Sequence, residues 1–425
     1  MQIEHTGHAG FIIGDKKISL LLDCWNSPTC FVGNLIRYPN CKVDLKKKLE
    51  YSEIIYIWCS HAHTDHYDKD TLNELDFYFS EKLRFLSQDY MIKTYETDFP
   101  NIPKILFKDR KIIKISDNLT LKLIHENPTF TEHSILIAET DKEIFIHGND
   151  SIIDKKIWNE IDINYKKNII YSGQYSRVSP YPFNQINLSK EKYIELYKDH
   201  LKKQKNRFLD QVSITKANKV IPCAGPGEVL NDSLVLKNNY FFQDFQIDVN
   251  QQIRLIRKEL NSNIIIINPK INNLINKNED YSIKNISINK EKKYSNNNLN
   301  INNDEIEILA WQFLNKIKNE YIKILNFEKS NNLYKMTTPT LFLSCEISKA
   351  KFSIINIEDN NKNIFNSIDQ IYKFFNSNSF YCLIIGIKTF NNFLKNNQFS
   401  FEESWYGHDI LTAQSKNGYS SIIMN

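Results

Sequence analysis

No apolar run in the chain approaches the roughly 18 residues that a membrane-spanning helix needs, so no membrane span is expected. The opening Met1-Gln2-Ile3-Glu4-His5 lacks a basic segment leading into an apolar core, so no secretory leader is expected either. Cysteine is present but unorganised. Cys24, Cys30, Cys41, Cys59, Cys223, Cys345 and Cys382 are odd in number and scattered, with no Cys-x-x-Cys pair. A disulfide scaffold is thereby disfavoured, and reduced thiols in a cytoplasmic protein are expected. A surplus of one charge is missing as well. Basic residues number 54 against 50 acidic, the net charge is +4, and no dense Lys/Arg stripe appears. Nothing in the charge calls for a nucleic-acid partner.

What is present suffices for a large core. Hydrophobic residues make up 41% and aromatics 12% of 425 residues, more chain than one ordinary domain of about 100–200 residues. Residues 1–260 read as a layered unit of alternating strands and helices. Phe11-Ile12-Ile13, Gly14-Asp15 and Ile18 to Leu22 form a hairpin pattern. Ile54 to Trp58 is a buried-strand run ending at Ser60-His61, and a helix should open at Asp70 as N-cap. Further strands are expected at Ile112–Ile115, Leu119–Ile124, Ser134–Ala138, Ile144–His147 and Asn168–Tyr171. A long helix is expected from Ser189 to about Thr215, with Tyr193, Tyr197, Leu201, Phe208 and Val212 on its buried face, then a strand at Val220–Pro222. Residues 261–304, rich in Asn, Lys and Ile, read as a linker. A smaller α+β domain is expected over 305–425. Its elements are a helix marked by Ile306, Leu309, Phe313 and Ile317, strands at Thr340–Ser344, Phe352–Ile357 and Phe380–Ile387, and a helix at Ile368–Phe375. With no cluster of ligand-type residues, this second domain should serve substrate access or stability, not chemistry.

The chemistry concentrates in Ser60-His61-Ala62-His63-Thr64-Asp65-His66. Three imidazoles and one carboxylate within six positions are donors suited to zinc or non-haem iron. In an extended loop His61 and His63 point the same way and reach one metal, while Asp65 and His66 turn toward a second position. Chance histidines in a polar loop are the bland alternative, which this density of donors disfavours.

This HxHxDH motif resembles the metallo-β-lactamase superfamily, which implies an αβ/βα sandwich and a metal site. His8-Ala9-Gly10-Phe11 and Leu21-Leu22-Asp23 resemble its opening strands, with His8 and Asp23 beside the ligands and Asp23 orienting a ligand His. Glu132-His133-Ser134 and Gly148-Asn149-Asp150-Ser151 resemble the strand ends that supply a third His and a metal-bridging Asp. His125 competes with His133 for that role, and His147 reads as a packed or exposed residue. The expected metal set is therefore His61, His63, Asp65, His66, His133 and Asp150, with Asp65 and Asp150 the carboxylates active in the chemistry. Gln174-Tyr175-Ser176, Tyr181-Pro182-Phe183, Asn206-Arg207-Phe208-Leu209 and Pro222-Cys223-Ala224-Gly225-Pro226 resemble the catalytic part of CMP-N-acetylneuraminate hydroxylase-like proteins. Phe399 to Ser404 and Gly407 resemble the sterol-carrier-like part of those proteins, and His408 reads as a surface or packing residue.

Two features depart from that pattern. The family's Rieske [2Fe–2S] module needs paired Cys and His motifs. Here the only Cys-x-His is Cys59-Ser60-His61, already inside HxHxDH, and no Cys-x-x-His follows. The late strand end at Pro222–Pro226 also holds no His, so one metal would keep extra open positions or only one metal binds. The resemblance implies an oxygenase with one or two irons acting on a small metabolite. Its electrons would come from a separate donor, and Gln174, Tyr175 and Arg177 would line the pocket, Arg177 anchoring an anionic group. A zinc hydrolase of the same fold and a non-catalytic small-molecule or lipid binder are the alternatives.

Overall fold

The computed structural model describes residues 1–14, 17–31, 33, 35–37, 42–126, 132–176, 190–225, 227–229, 249–267, 303–330, 340–348, 351–356, 361–366, 370–371, 374, 380–396, 399 and 410–414. The chain first lays down β1 (Gln2–Gly7), β2 (Gly10–Gly14), β3 (Ile18–Leu22), β4 (Leu35–Arg37), α1 (Leu45–Leu49), β5 (Ile54–Trp58) and α2 (Lys69–Phe79). There follow β6 (Leu83–Ser87), α3 (Ile92–Asp98), β7 (Lys104–Leu106), β8 (Ile112–Ser116), β9 (Leu119–His125), β10 (Ser134–Glu139), β11 (Glu143–His147) and α4 (Lys155–Asn159). Next come β12 (Asn168–Gln174), α5 (Lys190–Thr215), β13 (Lys219–Cys223), β14 (Gly227–Val229), α6 (Val249–Glu259) and β15 (Ile265–Ile266).

These strands make two mixed sheets, ordered β1-β2-β3-β5-β6-β7 and β15-β13-β12-β11-β10-β9-β8, while β4 and β14 pair apart. Each sheet joins antiparallel strands to a parallel set. In the first, β1, β2 and β3 are antiparallel and β3, β5, β6 and β7 run parallel. In the second, β8 to β11 are antiparallel, and β11, β12, β13 and β15 run parallel.

The two-residue alternation of a strand sorts side chains into three apolar layers. Phe145 and Ile170 join Phe11, Leu20, Leu22 and Trp58 in the layer between the sheets. Their neighbours Ile144, Ile146, Ile169 and Tyr171 point the other way, onto Trp158, Phe208, Val212 and Ile256 of α4, α5 and α6. Behind the first sheet, Ile55, Ile57 and Phe85 meet Leu45, Leu49, Leu72, Leu75 and Tyr95 from α1, α2 and α3. The result is the αβ/βα sandwich implied by the HxHxDH resemblance. Each large side chain fully buried in these layers contributes about 1.5–3 kcal/mol.

The C-terminal elements are α7 (Asn303–Ser330), β16 (Thr340–Ser348), β17 (Lys351–Asn356), β18 (Lys362–Phe365), β19 (Phe380–Ile385), α8 (Ile387–Asn396) and β20 (Ile410–Gln414). The sheet order is β18-β17-β16-β19-β20, and Phe313, Leu314 and Ile317 of α7 pack with Leu383 and Phe390.

Local expectations need correcting in three places. Asp68, not Asp70, stands at the N-cap of α2, its carboxylate accepting the Asn26 and Ser27 N–H groups at 3.0 and 2.8 Å. The presumed linker starts inside the sandwich, because Ile265 and Ile266 pair with Lys219 and Val220 as an edge strand. A strand over Phe380–Ile387 stops at Ile385, and Ile387 opens α8. Most of the Ile368–Phe375 helix, and linker residues 268–302, lie outside the described residues.

Candidate metal centre

β5 delivers the motif to the ends of both sheets. His61 is wholly buried and His63, Asp65 and His66 nearly so. The segment is not the extended loop expected from the sequence. It folds into a turn, because the His63 carbonyl accepts the His66 and Tyr67 N–H groups at 2.9 and 2.7 Å. The rings still converge, with His61 Nε2 2.9 Å from His63 Nδ1.

Polar side chains clamp the second sheet to this loop. Gln88 Nε2 donates to the Cys59 carbonyl and to Ser134 Oγ, both at 2.8 Å. Tyr90 Oη lies 2.6 Å from the Ser60 carbonyl and 2.8 Å from Ser134 Oγ. His133, next to Ser134, is thereby set against His61, with ring centroids 4.0 Å apart. His125 lies at the far end of β9 beside Tyr90 and outside the clusters of donor atoms.

Asp150 enters from the tip of β11. Gly148 admits no side chain, since a Cβ there would lie 2.7 Å from the Tyr171 ring and 3.0 Å from the Ser172 carbonyl. Asn149 takes the left-handed backbone at φ 43°. Its amide bonds the Ser134 carbonyl at 2.9 Å and receives the Asp150 N–H at 2.7 Å. Asp150 Oδ2 then lies 3.9 Å from His61 Nε2, and Oδ1 lies 3.5 Å from His66 Nε2 and 4.0 Å from His133 Nδ1.

Asp23, fully buried at φ 40°, underpins the far side. Its Oδ1 accepts the Ser60 N–H at 2.6 Å, and its Oδ2 meets His66 Nδ1 at 3.1 Å and His147 Nε2 at 2.9 Å. His147 Nδ1 in turn reaches Ser172 Oγ at 2.9 Å. His147 is thus an interior partner of Asp23, a role sequence reasoning missed. The signal was available, because His147 shares a strand face with Phe145, which points between the sheets.

Three sets of donor atoms lie within 4.8 Å of one another: His8, Asp65 and His66; His61, His63 and Asp65; and His61, His133 and Asp150. The residues fit a metal by a second criterion. His66 Nε2, His133 Nδ1, Asp65 Oδ1 and Asp150 Oδ1 are buried without a hydrogen-bond partner. Buried polar atoms left unpaired are costly, and cations held in these groups would satisfy them.

The electrostatics divide the cluster. Burial pushes the His61 and His133 pKa values down, His133 to about 4, and the neighbouring imidazoles push further in the same direction. For His66 burial acts downward too, but Asp150, Asp65 and Asp23 outweigh it and lift the pKa to about 10. Asp65 is raised by burial, yet His66 and the His8 hydrogen bond bring it down to about 2.

Of the expected pocket residues, Gln174 ends β12, its N–H donating to the Asn149 carbonyl at 2.6 Å, and Tyr175 is buried beside it. Arg177 lies outside the described residues, as does His408. Arg207, in the second half of α5, was given no role from the sequence. It donates to the Asp150 carbonyl and, at 3.4 Å, to Gln174 Oε1.

No protein-family model matches the chain. One curated relative, a putative Rieske 2Fe-2S iron–sulfur protein of Mycolicibacterium smegmatis, is 30% identical over 108 residues. The match covers 25% of this chain and 18% of that protein, so this chain spans under a fifth of the relative's length. Among solved structures, Igni18, a metallo hydrolase from Ignicoccus hospitalis, is 15% identical with a TM-score of 0.39, covering 63% of this chain and 95% of its own. CmlA, a diiron β-hydroxylase from Streptomyces venezuelae, is 13% identical with a TM-score of 0.35, covering 52% and 44%.

Proposed function

We propose that this chain is a metal-dependent oxygenase acting on a small polar, anionic substrate, with iron at the centre and electrons from a separate protein. The carrying observation is the donor set. Imidazoles and carboxylates gather on both sides of Asp150, with no thiolate among them. Such donors suit non-haem iron as well as zinc. Cys59 and Cys223 are buried with their pKa values pushed up by burial and by Asp23, which keeps them neutral thiols.

Two sequence findings support iron over zinc. The curated relative is named for a Rieske cluster, and several motifs resemble the catalytic part of CMP-N-acetylneuraminate hydroxylase-like proteins. Without paired Cys and His motifs, this chain would receive electrons from a cluster held elsewhere.

His61, His63 and His133 would hold one ion, Asp65 and His66 another, and Asp150 would lie between them. Bound iron would supply the O₂ chemistry that the side chains alone cannot. The chain's own part is to fix the donors through Asp23, Asn149 and Tyr90, to exclude water, and to present Gln174, Tyr175 and the Arg207 cation to the substrate, with Arg177, outside the described residues, the further anchor expected from the sequence. A zinc hydrolase is the second reading, favoured by Asp150 standing between two donor groups, an arrangement that also suits metal-bound hydroxide.

Metal analysis of protein purified without chelators or added metal decides between them. Iron at one to two ions per chain is expected, with O₂ uptake when a reductant and substrate are supplied. Stoichiometric zinc, with turnover indifferent to O₂, would overturn the oxygenase reading.

A further inference from the structure

The clusters of donor atoms include a residue that neither the motif nor the strand-end pattern offers as a ligand. His8 sits in the two-residue turn between β1 and β2, only 1% exposed. Its Nε2 lies 3.1 Å from Asp65 Oδ2. Its ring stands edge-on to Trp25 and to His66, with centroids 5.2 and 5.9 Å away. Resting on the metal-centre reading above, we propose that His8 is itself a ligand of the metal held by Asp65, His66 and Asp150.

The backbone argues that the ring is placed there. His8 has φ 49°, a left-handed conformation that costs a side-chain-bearing residue on the order of 1–3 kcal/mol unless its surroundings enforce it. They do. The His8 carbonyl accepts from His5 Nε2 at 3.0 Å and from the Ala224 N–H at 3.1 Å. Gly10, two residues on, has no room for a Cβ against Thr6 and the Asp23 carbonyl. The strand end on the opposite sheet, Pro222 to Ala224, holds no imidazole and instead braces the turn that carries His8, the Ala224 N–H donating to its carbonyl.

Counting donors gives the same answer. On one side His61 groups with His133 and Asp150 and with His63 and Asp65, so three imidazoles gather there. Without His8, the other side has one imidazole, His66, with Asp65 and Asp150. With His8 it gains the second nitrogen, and each ion has three residues of its own besides the shared Asp150. The His8 Nδ1 has no hydrogen-bond partner. Nε2, the ring atom turned toward Asp65 Oδ2, is the one that would meet a cation shared with that carboxylate.

The alternative is that His8 only donates a hydrogen bond to Asp65. Cobalt(II) titration of the metal-free full-length protein separates the two, read by absorbance and by paramagnetically shifted imidazole resonances. Two ions and five shifted imidazoles, from His8, His61, His63, His66 and His133, are expected in the unmodified protein. Four shifted imidazoles with two ions bound would overturn the ligand assignment. One ion with three imidazoles would also overturn it while leaving a metal centre, whereas no bound ion would sink the metal reading itself. His8→Asn tolerates the left-handed backbone and keeps a donor for Asp65. It should lose one shifted imidazole and weaken the second ion more than a hundredfold, leaving the first ion within a few-fold. Unchanged binding of both ions in a folded His8→Asn protein would count against the proposal.

Discussion

The two sides of the cluster are held in place by opposite means. On the Asp65 and His66 side, a chain of hydrogen bonds runs from His66 through Asp23 and His147 to Ser172, joining the first sheet to the second. On the other side, rings lean on rings. His61 has centroids 4.0 Å from His133 and 4.2 Å from His66, and its Nδ1 meets Ser60 Oγ at 2.9 Å. The charges follow the architecture. Three carboxylates hold His66 protonated, while crowding and burial hold His61 and His133 neutral. In the metal-free protein the first side is a pre-formed ion-pair network. The second is a group of crowded imidazoles bonded to one another and to Ser60.

The largest effect should come from Asp23→Asn. The amide keeps the volume, tolerates φ > 0, and can still accept the Ser60 N–H. It removes the charge that faces two buried imidazoles. Breaking one partner of a buried pair costs about 3–5 kcal/mol, and loss of such an outer partner weakens metal binding about 10–100-fold. Thermal unfolding should show the first. Metal titration should show the second confined to the weaker of two ions. Equal weakening of both ions would erase the distinction between the sides.

How much of this was legible in the sequence depended on how local the contacts are. HxHxDH could be read because four donors lie within six positions, and His133 and Asp150 because strand ends flank them. The turn in that loop could not be read, since it is made by backbone bonds to the His63 carbonyl. Arg207 could not be read either, because its contact with Asp150 spans 57 residues and depends on how α5 lies against β12. Ile264 to Ile267 looked like part of a low-complexity stretch, but a β-rich run needs only one neighbouring edge, and Val220 supplies it. The loop after β13 has no His, as the sequence says. The sequence does not say that His8 fills the adjoining space.

A smaller effect should follow from Arg207→Ala, which tests whether the Asp150 side of the cluster is built for anions. Two of the five guanidinium donors are taken by the Asp150 carbonyl and Gln174, leaving others to turn outward. A charge-assisted hydrogen bond contributes about 1.5–3 kcal/mol, or about tenfold or more in affinity. Inorganic phosphate, titrated into the cobalt-loaded protein and followed by absorbance, should bind about tenfold more weakly in the variant, with both ions retained. Unaltered phosphate affinity would remove Arg207 from the substrate side.

The smallest effect concerns the imidazole side and its dependence on pH. Glu126 donates its N–H to the His133 carbonyl at 3.0 Å, so it shares the strand end that positions that ring. Burial raises its carboxyl from 4.5 to about 7, and Asp150 pushes the same way against the opposing pull of Arg207. The folded chain therefore binds this proton more tightly than the unfolded chain. The resulting stability is fully present below about pH 4.5 and is lost as pH rises through about 7. Glu126 is partly exposed, which reduces the effect. In metal-free protein, Tm should fall more steeply between pH 5 and 7.5 in the unmodified chain than in Glu126→Gln, by about 2–4 °C. Parallel Tm curves would mean that Glu126 titrates normally, and that the strain of the metal-free site is confined to the rings themselves.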